Sequence, residues 1–329
     1  MITGLSGGLQ ITKKMRGLTR RSFLRSIFGW SLFSFLSVSL SRALANPLSS
    51  FPSPPALPTG PGPDRRPAGQ APRGGETVER SRDEKGSSIA EFFIGEELGY
   101  EIGFWLFKRA ALGRLSFRQT EKKGQYLAIL ETETLGILGW VSRYRVDTYR
   151  STIEEIEGGS RLRSLSFEED VKIGSKVRKR VTQFDYQKRK WVTIKERKDG
   201  TTQRIEEEIP PGKVYDDFLT AAYNFRYGVY GEIERGKTYT VPTFPRKGAS
   251  SYEVRVAFKE EEEKRRRSEK MKDRKEYFVK LILDPEITHS KEGRIEGWLS
   301  KELLPAEGTI KDVLLFGDVK GTLVKSNRI

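Results

Sequence analysis

Apolar and polar residues alternate with period 2 through most of the chain after residue 91. Turn signals punctuate these runs, and one isolated stretch has helical spacing. Together these observations predict a mainly β domain: a large curved antiparallel sheet, open or partly closed in barrel fashion, packed on one central α-helix.

The first strand is the clearest. In Leu98-Gly99-Tyr100-Glu101-Ile102-Gly103-Phe104, the residues Leu98, Tyr100, Ile102 and Phe104 fall on one face, with Gly and Glu on the other. Leu112 to Arg118, Tyr126 to Thr134, Val141 to Tyr149 and Arg161 to Phe167 are rich in β-branched and aromatic residues. They are separated by turn signals such as Glu157-Gly158-Gly159-Ser160. Val177 to Val181 alternates apolar with charged residues, Lys190 to Lys195 reads as its hairpin partner, and Asp199-Gly200 is a turn signal after it. Asp216-Asp217-Phe218-Leu219-Thr220-Ala221-Ala222-Tyr223 breaks the pattern, with apolar groups at 218, 219, 222 and 223 behind an N-capping aspartate; Gly228 is the natural stop. Strands resume at Thr238 to Val241, Ser251 to Phe258, Tyr277 to Leu283, Arg294 to Ser300 and within Ile310 to Leu323, which makes about eleven strands around one helix. The run Glu260 to Lys275 places glutamates before lysines and arginines as a solvated helical or hairpin extension does.

The domain is preceded by two segments of different composition. Residues 1–45 hold Thr19-Arg20-Arg21-Ser22-Phe23-Leu24-Arg25, then an apolar stretch from Ile27 to Leu40, then Ala43-Leu44-Ala45. A basic region, a short apolar region and a small-x-small site form an export signal. The arginine pair followed by Phe23 and Leu24 points to the twin-arginine export machinery, with Ala43 and Ala45 as the cleavage signal. The expected location is exported and periplasmic; if the site is not processed, the same segment becomes an uncleaved anchor that tethers the protein to the membrane. Residues 46–90 contain nine of the fifteen prolines with little apolar content, a composition that predicts a disordered Pro/Gly-rich linker. Residues 91–329 remain as the β-rich domain, 239 residues long and enough to bury roughly 70% of its unfolded surface.

Charge and residue usage exclude several functions. The export segment carries seven basic residues and no acid, so the remainder holds 53 basic against 45 acidic residues, a net +8. Mild basicity in an exported protein argues against nucleic acid and is compatible with anionic envelope polymers or lipid headgroups. The absence of cysteine rules out disulfides, thiolate metal sites and cysteine nucleophiles. His289 is the only histidine and has no Gly-x-Ser-x-Gly elbow beside it, so a serine triad is not indicated. No metal or cofactor site is expected. The acids Glu96-Glu97, Glu168-Glu169-Asp170 and Asp216-Asp217 are sequence neighbours; on a strand such pairs point to opposite faces, and capping explains Asp216-Asp217.

Several motifs carry a resemblance. Gly95-Glu96-Glu97-Leu98-Gly99-Tyr100, the turn Ala111-Leu112-Gly113, the helix set Asp217, Leu219, Tyr223 and Arg226, and Trp298-Leu299-Ser300 with Pro305 and Gly321 resemble the domain of unknown function 3108 family of exported bacterial envelope proteins. The chain departs from that pattern at Lys301-Glu302-Leu303-Leu304, where the family tends to show an acid and an arginine before the proline. The resemblance implies an envelope protein with a curved β-sheet and supplies no catalytic residues.

The aromatic content points further. Phe104, Trp105 and Phe107, then Phe218, Tyr223, Phe225, Tyr227 and Tyr230, offer more bulky apolar surface than one sheet face needs: either they are the core between sheet and helix, or Trp105, Phe218, Tyr223 and Tyr227 form an apolar ligand face, with Trp105 on the sheet opposite Tyr223 on the helix. The sequence therefore points to a non-enzymatic envelope protein that binds an apolar or amphipathic component, with lipid or lipoprotein as its ligand class. The alternatives are a structural or interaction protein docking on an envelope protein or polysaccharide, and a carboxylate-dependent hydrolase.

Overall fold

The chain enters the fold through a short helix, α1 (Ile89–Phe93), capped by Ser88, whose hydroxyl accepts from the Glu91 N–H while the Glu91 carboxylate accepts from the Ser88 N–H. The computed structural model describes residues 88–327, apart from 106, 198–199, 247–248, 270–274, 284–287, 289 and 314–316. Arg20, Arg21, Phe23, Leu24, Ala43 and Ala45 of the export signal, the linker up to 87, and His289 lie outside the described residues. Ile89 and Ala90, counted with the linker in the sequence, are fully buried, so the fold begins earlier than residue 91.

Among the described residues fourteen strands form one antiparallel sheet. The first eight are β1 (Glu97–Phe104), β2 (Phe107–Gln119), β3 (Gln125–Thr134), β4 (Val146–Ile156), β5 (Arg161–Ile173), β6 (Lys176–Asp185), β7 (Lys190–Glu196) and β8 (Thr202–Glu208). Helix α2 (Gly136–Val141) lies between β3 and β4, and α3 (Phe218–Tyr227) follows β8. Then come β9 (Thr238–Arg246), β10 (Ala249–Val256), α4 (Lys259–Glu269), β11 (Lys275–Ile282), β12 (Arg294–Ser300), β13 (Pro305–Val313) and β14 (Gly317–Asn327). Each strand pairs with its sequence neighbour within β1–β8 and within β9–β14, and β14 pairs with β1, so the two runs join at the chain's ends and leave β8 and β9 as the edges.

The sheet curls around α3, and the mainly β, curved architecture is as the sequence predicts. Leu219 and Tyr223 pack with Phe117, Tyr126, Leu162 and Phe167 from the first run. Ala221 and Phe225, on the other side of the helix, pack with Tyr239, Val254, Tyr277 and Leu299 from the second. Each such large buried side chain contributes roughly 1.5–3 kcal/mol. The edges approach one another: the Phe244 ring of β9 lies 5.5 Å from Phe184 of β6 and 5.9 Å from Trp191 of β7. The sheet nevertheless stays open.

Three local departures from the sequence reading have physical causes. Val141 ends a helix instead of starting a strand, and β4 begins at Val146. The polar run Thr202–Glu208 forms an edge strand because the neighbouring β7 supplies the whole ladder, from Glu196↔Thr202 to Lys190↔Glu208. The charged run after Phe258 is a helix laid on the outer sheet face, not only a solvated extension: the Glu262 carboxylate is buried and accepts from the Phe278 N–H at 3.1 Å, and the Arg266 guanidinium lies 4.9 Å from the Trp298 ring.

Candidate functional site

Two regions concentrate chemistry: the surroundings of α3 inside the curl, and the end of the sheet that carries the β1–β2, β3–β4 and β5–β6 connections. In the interior, Asp217 caps α3 through Oδ1, which accepts from the N–H groups of Leu219 at 2.8 Å and Thr220 at 3.1 Å. Its Oδ2 accepts from three hydroxyls: Ser164 at 2.8 Å, Thr220 at 2.9 Å and Ser151. Every member is buried. Gly228, at φ 89°, ends the helix in the left-handed conformation that glycine adopts without strain. Between these caps Asn224 behaves as a piece of strand, donating to the Leu162 carbonyl and accepting from the Leu162 N–H, both at 2.9 Å.

Asp216, also fully buried, accepts from Tyr230 at 2.5 Å and Asn224 at 3.0 Å and lies 3.4 Å from Arg161; its Oδ1 has no partner among the described residues. Burial pushes its carboxyl up from 3.8 to about 6, against the opposing pull of Arg161. Burial also raises Asp217, outweighing the hydroxyls that favour its anion. At the other end of α3, Arg226 clasps Glu96 in two parallel bonds of 2.7 and 2.6 Å, donates from Nε to the Leu303 carbonyl at 2.9 Å, and lies 4.8 Å from the Phe93 ring. Leu303 belongs to the very segment, Lys301 to Leu304, that departs from the family pattern. Thus Asp217, Leu219, Tyr223 and Arg226 serve as cap, two core contacts and ion pair.

The apolar ligand face expected from sequence is not assembled. Tyr223 is 1% exposed, with ring centroids 4.9 Å from both Phe93 and Phe117, and Phe218 and Tyr227 pack at the margin of the same cluster. Trp105 does not face Tyr223: it is 81% exposed, in the β1–β2 turn. The strand does not reach it: β1 ends at Phe104, Gly103 lies against β2 so closely that a Cβ there would meet the Lys108 carbonyl oxygen at 2.6 Å, and the chain then turns.

That turn belongs to the second region. Consecutive antiparallel hairpins bring the β1–β2 connection beside the β3–β4 connection, where the Leu135 N–H donates to the Ala110 carbonyl, and this beside the β5–β6 connection, where the Gly174 N–H donates to the Arg143 carbonyl at 2.9 Å. Helix α1 sits at the opposite end, its Ala90 N–H donating to Glu155 at the close of β4. Trp105, Phe107, Trp140 and Tyr144 are exposed by 81, 40, 72 and 56% on the first two of these connections. Trp105, Arg143 and Tyr144 hold φ of 49°, 57° and 50°, a left-handed backbone that non-glycine residues adopt at a cost of about 1–2 kcal/mol each. Sequence reasoning named Phe107 among the aromatics but missed Trp140 and Tyr144; the available signal was the charge-free Gly136-Ile137-Leu138-Gly139-Trp140-Val141, too long an apolar run for a hairpin turn.

A third feature is a groove of 730 Å³ on the outer face of β5–β8, lined by Arg163, Ser166, Gln183, Tyr186, Lys190 and Arg204 among others. Most of its cations are occupied: Arg163 pairs with Glu154, Lys188 with Asp185, and Lys190 and Arg204 both pair with Glu206. Among the described residues no group of histidine, cysteine and acid side chains could hold a metal ion, and no helix is long and apolar enough to cross a membrane.

The family model for proteins of unknown function (DUF3108) matches residues 99–324, most of the chain. The chain belongs to that family. The match runs from within β1 to within β14, and so includes α3 and the β1–β2, β3–β4 and β5–β6 connections. No curated protein matches the sequence. Among solved structures, the DUF3108 chain is similar to a beta-barrel-like protein of domain of unknown function DUF1849 from Brucella abortus, at 10% identity and a TM-score of 0.31, over 71% of this chain and 98% of that one.

Proposed function

We propose that this protein is a non-enzymatic component of the cell envelope that binds an amphipathic partner through the aromatic end of its sheet. The observation that carries the reading is the exposure of Trp105, Phe107, Trp140 and Tyr144 on adjacent connections, two of them on left-handed backbone. Tryptophan and tyrosine combine an apolar body with a polar handle, which suits a surface that is apolar at one level and wet at the next. The interior gives less support to a carrier, since Tyr223 is packed between rings. It also gives less support to carboxylate chemistry, since Asp217 already accepts five hydrogen bonds. The arginine pair Arg20-Arg21 supports export by the twin-arginine route to the periplasm.

A second reading, docking on an envelope polysaccharide, is favoured by the 730 Å³ outer groove with its hydroxyl, amide and phenol lining. One titration separates the two. In the full chain with Trp30→Phe, emission from Trp105 and Trp140 should shift to the blue when dodecyl maltoside micelles are added, and Trp105→Phe with Trp140→Phe should abolish the shift. Trp191 and Trp298, both buried, provide the unchanging background. No shift with micelles refutes the amphipathic reading.

A further inference from the structure

We propose that the partner of the aromatic end is an anionic lipid bilayer, an inference that rests on the amphipathic reading above and names its ligand. Arg109 pairs with Glu101 at 3.2 Å and Arg145 with Asp147 at 2.8 Å, so these cancel. Lys108 next to Phe107, Lys172 at the end of β5 and Lys176 at the start of β6 are exposed and make no ion pair among the described residues. Against these stands the exposed Glu133 near the end of β3. The surplus is cationic, and it lies on the same connections that present the tryptophans.

This combination has one natural complement. A protein partner of apolar chemistry needs no surplus lysines, and a polyanion needs no exposed tryptophans. A bilayer with anionic headgroups uses both: the indole and phenol rings settle at the headgroup level, and the ammonium groups meet the phosphates around them. The backbone geometry points the same way. Tyr144 turns on left-handed backbone after donating its N–H to the Gly139 carbonyl. Its ring lies where a Cβ on Gly139 would meet it at 3.0 Å, so Gly139 leaves room for the phenol against α2. Trp105 turns at the neighbouring tip. Two strained bulky residues held outward on adjacent tips are what shallow insertion requires, and a fold satisfied with solvent there would place glycine or asparagine instead.

The bilayer surface would run across the three connections, perpendicular to the strands. Helix α1 would lie at the far end of the strands, away from the lipid. The outer groove between β5 and β8 would remain open to solvent.

The test uses the full chain with Trp30→Phe and vesicles of brominated phosphatidylcholine, with and without brominated phosphatidylglycerol. Bromine quenches only those indoles that reach the bilayer, so the other two tryptophans act as an internal reference. The expected result is quenching of Trp105 and Trp140 on vesicles containing phosphatidylglycerol, weakened by added salt. It should vanish in the variant that also carries Trp105→Phe and Trp140→Phe. Lys108→Gln with Lys176→Gln should weaken binding about 30-fold, since each cation near such a surface is worth about 1 kcal/mol. Quenching that is equal on both lipids overturns the anionic inference while leaving the amphipathic reading intact. Absence of quenching on either lipid, with the micelle shift retained, overturns the bilayer as partner. Quenching that survives in the variant without Trp105 and Trp140 means that another segment holds the membrane, and also overturns the proposal.

Discussion

Removing the Glu96 carboxylate should be among the most damaging single changes in the molecule. Glu96 and Arg226 are 130 residues apart in the chain and fully desolvated together, the carboxylate 0% and the guanidinium 4% exposed. Glu96→Leu leaves the guanidinium buried without its counter-charge. Breaking a buried pair in this way costs about 3–5 kcal/mol. Arg226 keeps its bond to the Leu303 carbonyl and its place over the Phe93 ring, which offset part of the loss, so about 3–4 kcal/mol is expected. With a urea m-value of about 3 kcal/mol/M, the midpoint should fall by about 1 M. Arg226→Met should cost a similar amount, because it strands the carboxylate. The double variant Glu96→Leu with Arg226→Met replaces both charges by apolar groups and should recover most of the loss, to within about 1 kcal/mol of the parent, the residue being the unpaired Leu303 carbonyl. Urea unfolding followed by tryptophan emission and far-ultraviolet circular dichroism measures all three. A single variant costing under about 1 kcal/mol, or a double variant whose loss is the sum of the two, would refute the account of Arg226 as a desolvated ion-pair partner.

Asp216 gives a pH signature: its folded carboxyl is raised from 3.8 to about 6, so the folded state holds the proton more tightly and its contribution, roughly 3 kcal/mol, is complete below about pH 4 and lost as pH rises through about 6. Asp216→Asn should flatten stability against pH across that window, with a residual slope left by Asp217; unchanged slope would contradict the burial argument. Tyr223→Phe should be neutral or stabilise by up to about 1 kcal/mol, because the Tyr223 hydroxyl is buried without a partner among the described residues; a loss above that in thermal melts would reveal a bond not accounted for. Changing Arg20 and Arg21 together to Lys should leave precursor in the cytoplasm, whereas normal export would remove the twin-arginine assignment.

The β class, most strands and α3 were legible because each is written in local pattern. Leu98 and Ile102 alternate along a strand, and Asp217 and Gly228 bracket a helix with the residue types that caps require. Ser88 and Glu91 also spell a capping box, but Ser88 stands at the end of a proline-rich run whose composition reads as linker. The join of β14 to β1 is nonlocal, as is the clasp of Glu96 by Arg226. Their register depends on the whole curl, so no window of sequence contains it. Trp105 failed for a related reason: periodicity assigns faces along a strand, and it says nothing once the backbone reverses.

The same contrast between local and nonlocal order separates the interior from the aromatic end. A helix packed into the curl of a sheet cannot leave its terminal N–H and C=O groups unpaired, so α3 needs Asp217 at one end and Gly228 at the other. Burying Asp217 in turn requires donors, which Ser151 of β4 and Ser164 of β5 provide, and Asn224 fastens the same helix to Leu162. Arg226 then ties it to Glu96 before β1 and to Leu303 beyond β12. These polar bonds are directional, and they fix where the sheet must curl; apolar packing alone would allow several curvatures. Of the acids that sequence inspection offers as catalysts, Asp217 and Glu96 are thereby committed to holding the fold. At the aromatic end the relation is reversed: Trp105 and Tyr144 hold strained backbone and stay exposed, which lowers the stability of the isolated domain. Features that weaken the free protein while presenting rings to solvent find their compensation in what covers those rings, and that is the physical reason to look for function there.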